Sequence, residues 1–151
     1  MSRPKPVTTV NKSEVYRFIA GHKLGVLGTI SSSGLPQSAL VGIAVTPKLE
    51  IVFETVKSSR KFRNLVSKPD CSFVVGWKGE VTVQYEGIAQ QPKGAALAQL
   101  QKVYFANWPD CLSHLSWPGI VYFVVRPTWV RYSDYDRDPP YIAEIPVRRS
   151  R

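Results

Sequence analysis

Apolar residues fall in short runs along most of the chain, and the period of those runs changes from one segment to the next. In NKSEVYRFIAGH (11–22), Val15, Phe18 and Ile19 recur at helical spacing. Asn11 is placed to cap that helix, Glu14 stands three residues further on, and Gly21 suits the exit. The period then shortens. LGVLGTIS (24–31), SALVGIAV (38–45) and LEIVFET (49–55) are rich in Val, Ile and Leu, and are separated by Ser33, Gly34 and Pro36 and by Pro47 and Lys48. Three strands joined by tight turns are expected there, as an antiparallel meander.

Phe62, Leu65 and Val66 restore the helical period and predict a short crossover helix within 58–68, ended by Pro69 and Asp70. CSFVVGW (71–77), a turn at Lys78 and Gly79, and VTVQYEGIAQ (81–90) form a further hairpin. Alternation sends Val81, Val83 and Tyr85 to one face of its second strand and Thr82, Gln84 and Glu86 to the other, leaving a polar face that needs a partner or solvent. A longer helix is expected over 94–107, closed by Trp108 and Pro109, and IVYFVVRP (120–127) and TWVRYSDY (128–135) supply two more strands. The class is mainly β with some α: an antiparallel barrel of about six or seven strands with flanking helices, since closure removes exposed sheet edges. A single domain spans 11–143, with basic Pro-containing tails at 1–10 and 144–151.

Length and composition support one core, with 151 residues of which 44% are apolar. The net charge of +9 raises the question of nucleic acid, but Arg3, Lys5, Arg148, Arg149 and Arg151 supply five of the 20 cations from the tails. A nucleic-acid partner is therefore not expected. Cys71 and Cys111 stand far apart without Cys/His motif spacing, so two buried thiols are expected and no metal site. His22, at a helix end, and His114, in a loop, are expected to be structural. No apolar run approaches the roughly 18 residues of a membrane-spanning helix, and the polar N-terminus lacks a signal-peptide core; a cytoplasmic protein is expected.

One stretch departs from routine helix design. In ETVKSSRKFRNL (54–65), two serines lead into Arg60 and Lys61 in the first turn of the predicted helix. Cations there oppose the helix dipole by about 0.3–1 kcal/mol each. An anion docked on the turn would relieve the repulsion, bound by free backbone N–H groups, the Arg fork and the Lys charge. The alternative is a solvated face formed by Arg60, Arg63 and Asn64 opposite Phe62 and Leu65, and spacing alone leaves both readings open.

The ordered set LGVLGTISSSGLPQSALVGIAV, LEIVFETVKSSRKFRNLVSKPDCSFVV and VTVQYEGIAQ, over about 12–135, resembles the pyridoxamine 5′-phosphate oxidase-related family of flavin-binding split β-barrels. Its most specific part is a strand ending in Phe-x-Thr, then Ser-Arg-Lys and an Asn-Leu pair before a Pro. The resemblance implies bound flavin mononucleotide (FMN), with a deazaflavin or haem as alternatives. It places the phosphate at Ser59, Arg60 and Lys61, the phosphate and ribityl chain near Glu54 and Thr55, and the ring along Ala39, Leu40, Val41 and Gly42. Thr82 or Gln84 would supply a polar contact from a later strand. It further implies a homodimer with sites at the interface, the 129–134 strand approaching from the partner, and an oxidoreductase acting on a small substrate with a nicotinamide or other donor. Flavin carries the hydride chemistry, so no catalytic side chain is assigned. Two departures argue against a vitamin B6 substrate: Ser38 and Ala39 replace an Arg of the oxidases proper, and RPTWVRYSDYDRDPPYIAEI replaces their C-terminal Arg-Leu-His-Asp-like pattern.

Overall fold

Asn11 caps the first helix as its position predicts. In the computed structural model, which describes residues 11–147, its Oδ1 accepts from the Ser13 backbone N–H at 3.0 Å and the Ser13 hydroxyl at 2.7 Å. Helix α1 (Lys12–Ala20) buries Val15 and Ile19 and ends as the Gly21 N–H returns to the Arg17 carbonyl. The strands are β1 (Leu24–Ile30), β2 (Pro36–Gly42), β3 (Ala44–Val45), β4 (Ile51–Val56), β5 (Asp70–Val75), β6 (Val81–Gln90), β7 (Ile120–Asp134) and β8 (Tyr141–Ile145). Helix α2 (Arg60–Ser67) follows β4; α3 (Gly94–Asn107) and a 3-10 segment (Pro109–Ser116) fill the β6–β7 connection. Among the described residues, no helix is long and apolar enough to cross a membrane.

All pairings are antiparallel, in the order β2-β1-β5-β6-β7-β4-β3, with β8 also paired to β7. This is the split-barrel architecture expected, but the first three strands do not form a meander. The run 38–45 breaks at Ile43, so β2 pairs with β1 at one end of the sheet while β3 pairs with β4 at the other. Consecutive segments thus occupy the two terminal positions, and the sheet must curl to bring those ends together. The carbonyl of Ile43, at the break, accepts from Asn107 Nδ2 at 2.7 Å and Trp108 Nε1 at 2.9 Å, which ties the end of α3 to the seam.

The two strands expected over 120–127 and 128–135 are one 15-residue strand, β7. Pro127, at the expected boundary, has no N–H to donate, and the sheet absorbs it in a bulge, where Glu86 pairs with Trp129 but Gly87 with Pro127. A Cβ on Gly87 would meet the Arg126 carbonyl at 2.5 Å, so the close approach requires glycine. The domain also runs past 143. Glu144 and Ile145 belong to β8, where Ile145 is buried and Glu144 pairs with Arg131; these two were expected in the tail because a five-residue strand after a proline-rich turn gives little periodic signal. The expected tail residues 1–10 and 148–151 lie outside the described residues.

Alternation along β4 builds two cores. Ile51 and Phe53 face the barrel interior, where Phe53 stacks on Phe123 at 5.5 Å and meets Phe73 edge-on at 6.0 Å. Val52 faces outward and packs with Tyr122 and Val124 beneath Leu97, Leu100 and Tyr104 of α3. Inside the barrel the Tyr85 hydroxyl, 2.8 Å from the Leu49 carbonyl and 2.9 Å from that of Val125, joins the β3–β4 turn to β7. Leu49 itself sits at φ 63°, a strained value for a branched side chain, and is fully buried.

Tyr85→Phe leaves those carbonyls without their donor and is expected to lower stability by about 1–3 kcal/mol in urea unfolding. Burial first, and the Asp70 charge second, raise the Cys71 thiol from 9.0 to about 12. The folded state therefore holds this proton more tightly than the unfolded chain, so the stability it contributes is complete below pH 9.0 and is lost as pH rises towards about 12. Thermal melts across that interval should show the decline, and Cys71→Ala should make it shallower, the remainder coming from Cys111 and the buried tyrosines, whose protons are also held more tightly.

Candidate functional site

Helix α2 starts with a side-chain network rather than an acidic first turn. Ser59, extended at φ −76° and ψ 153°, accepts the Phe62 N–H on its hydroxyl at 3.1 Å. The Thr55 hydroxyl, at the end of β4, lies 2.9 Å from the same Ser59 oxygen. The N–H groups of Arg60 and Lys61 precede the first intrahelical bonds and point out of the turn. No acidic residue occupies that turn. Backbone donors and two full cations therefore converge, an arrangement suited to phosphate or carboxylate.

A buried amide holds the helix against the sheet. Asn64 Nδ2 donates to Thr29 Oγ1 at 2.9 Å and to Gln37 Oε1 at 2.8 Å, and Gln37 Oε1 also accepts from Arg60 Nε at 3.0 Å. The contact leaves the terminal nitrogens of Arg60 free to form a fork. Beside it lies a recess of about 250 Å³ lined by Thr29, Gln37, Ser38, Ala39, Arg60 and Lys61. It opens at the seam of the barrel, where β2 is a terminal strand and one backbone edge has no strand partner among the described residues.

The expected site residues divide into those that meet there and those that do not. Arg60, Lys61 and Ala39 line the recess, with Ser59 and Thr55 directly behind it. Leu40 projects outward and is 60% exposed, Val41 is buried in the core, and Gly42 lies so close to Trp108 that a Cβ would meet its ring at 2.9 Å. Glu54 is elsewhere. Adjacent strand residues face opposite sides, so Thr55 turns to α2 while Glu54 turns beneath the 3-10 segment and pairs with His114 Nδ1. Thr82 donates to the Val75 carbonyl at 3.1 Å, and Gln84 is exposed beside Arg131 on the outer sheet face. Two strands separate β6 from β2, a spacing of roughly 14 Å, so neither residue lines the recess.

His22 is structural as expected, with Nδ1 2.7 Å from the Phe18 carbonyl and its ring beside Phe18. His114 is not an isolated loop residue. It meets Glu54 and Cys111, with donor atoms of all three within 4.8 Å of one another. Burial first, and Glu54 second, raise the Cys111 thiol. The expectation that no Cys/His spacing is present fails here: Cys111 and His114 stand three apart as Cys-x-x-His, the one sequence signal for this cluster.

The family model for pyridoxamine 5′-phosphate oxidase matches residues 12–134. The chain belongs to that family. No curated protein matches it. Solved structures share the family fold at low identity. A haem-binding protein of Mycobacterium smegmatis superposes with a TM-score of 0.77 at 20% identity, over 92% of this chain but 59% of that protein. Protein Rv2991 of Mycobacterium tuberculosis gives 0.72 at 20% identity, over 99% and 97% of the two chains. HutZ, a haem storage protein of Vibrio cholerae, gives 0.67 at 15%, over 76% and 88%.

Gln37→Leu removes the acceptor shared by Arg60 and Asn64. Its expected cost is about 1 kcal/mol of folding stability, read by denaturant unfolding.

Proposed function

We propose that this pyridoxamine 5′-phosphate oxidase relative binds FMN at the barrel seam and works as an oxidoreductase on a small substrate, with the cofactor sites at the interface of a homodimer. The observation that carries the reading is the acid-free first turn of α2, with Arg60 and Lys61 beside the unpaired edge of β2. Arg60 and Lys61 grip the phosphate, and Gln37 fixes the Arg60 side chain in its orientation. Ser59 spends its hydroxyl on the helix cap, so its part is to set the turn. The free edge of β2 offers N–H and C=O groups to the polar rim of the ring, and Ala39 leaves space above the recess. Flavin, when bound, supplies the hydride-transfer chemistry, accepting from a reduced nicotinamide or another donor. A deazaflavin presents the same phosphate chemistry to the same cations.

Haem binding is the second reading, supported by the names of two structural neighbours. Two propionates suit the same cations, but iron also asks for an axial ligand, and neither His22 nor His114 borders the recess. The visible spectrum of the purified protein separates flavin from haem, and mass spectrometry of released ligand separates flavin from deazaflavin.

Arg60→Ala and Lys61→Ala should each weaken FMN about 10–100-fold in fluorescence titrations, the loss of one charged hydrogen bond. Riboflavin, which lacks the phosphate, should bind these variants as it binds the parent. Unchanged FMN affinity in both variants would overturn the phosphate assignment.

A further inference from the structure

On the opposite side of β4 from the anion turn lies a second cluster with its own chemistry. The 3-10 segment repeats every three residues, so Cys111 and His114 stack on one face, and Trp117 continues the row with its ring packed on the His114 imidazole at 3.7 Å between centroids. That face lies over Glu54. The Glu54 side chain is only 10% exposed and Cys111 is buried. One Glu54 oxygen pairs with His114 Nδ1; the other, Oε2, is buried with no hydrogen-bond partner. Tyr122, directly across from Glu54 in the β4–β7 register, brings a second buried oxygen without a partner to the same face.

Buried polar atoms left unsatisfied cost about 1–3 kcal/mol each, and native proteins keep them few. Two of them at neighbouring positions, beside a thiol and an imidazole, point to a ligand. We propose that Glu54, Cys111 and His114 bind a divalent transition metal of the zinc class. Donors within 4.8 Å of one another need only small side-chain rotations to reach the roughly 3.3–3.8 Å spacing of a tetrahedral zinc shell. A set of one sulfur, one nitrogen and one oxygen favours zinc or cobalt over magnesium or calcium, which take oxygen ligands. Three protein ligands leave a fourth position for solvent, beside the Tyr122 hydroxyl, which finds its partner there. The Tyr122 hydroxyl and the Cys111 thiol both face the Glu54 carboxylate, yet neither Glu54 Oε2 nor the Tyr122 hydroxyl makes a hydrogen bond of normal geometry, and a metal among these groups would give each a partner. The site is separate from the α2 turn and does not rest on the flavin reading.

The full chain, reduced and stripped with a chelator, is titrated with Co²⁺ and then Zn²⁺. One equivalent of Co²⁺ should give a thiolate charge-transfer band in the near ultraviolet and tetrahedral bands in the visible, and Zn²⁺ should remove both. Cys111→Ser should abolish the charge-transfer band, and His114→Ala should weaken Zn²⁺ more than about 100-fold, beyond the loss usual for an outer-shell partner. Cys71→Ala should retain the spectrum. Zn²⁺ should also protect Cys111 of the parent protein from alkylation, mapped by peptide mass spectrometry, a readout that needs no variant to fold. Parent protein that gives no cobalt band and no protection, or a Cys111→Ser protein that keeps the charge-transfer band, would overturn the site.

Discussion

A strand of fifteen residues has to satisfy its backbone along two edges, and in β7 that demand organises the molecule. One edge is paired with β6 from Val124 to Asp134. The other is shared, the first part with β4 and the last part with β8. A flat sheet built this way would leave β2 and β3 at distant edges, yet the chain joins them through Ile43 alone. Twist and the bulge at Gly87 bend the sheet until that short connection is possible, and the split in the barrel is what remains where β2 and β3 diverge. The recess beside α2 lies at this split, so topology positions the binding turn before any side chain does.

Much of this was legible in the sequence because it depends on neighbours along the chain. The Asn11 cap, the Ser59-Arg60-Lys61 helix start and the alternation along 81–86 are local signals, and each is found where expected. The barrel class followed from strand count and turn spacing. What failed was non-local. Nothing around Ile43 announces that its carbonyl will be held by Asn107 and Trp108 rather than by a ladder partner. The boundary expected at Pro127 does not exist; only the partner strand, with Gly87 opposite, shows that the irregularity is absorbed.

The site was legible to the same degree. Arg60 and Lys61 follow from helix electrostatics and order in the chain, and Ala39 from strand order. Glu54 lies on the other side of β4 from Thr55 because adjacent strand residues share a neighbourhood in sequence but not in space. Cys111 and His114 are expected from the sequence only as a buried thiol and a structural histidine, because a 3-10 segment carries no long amphipathic period to join them, and their partner is 60 residues away from His114.

Strand β4 therefore serves as a partition one peptide thick. Phe53 and Thr55 belong to the interior and to the α2 turn, Val52 and Glu54 to the space beneath α3 and the 3-10 segment. An insertion or deletion of one residue here would exchange the two sets, placing a carboxylate among the aromatic rings and a phenyl ring against a thiol and an imidazole. Length variation among descendants of this sequence should consequently collect in turns such as 135–140 and spare 51–56, even where individual side chains change.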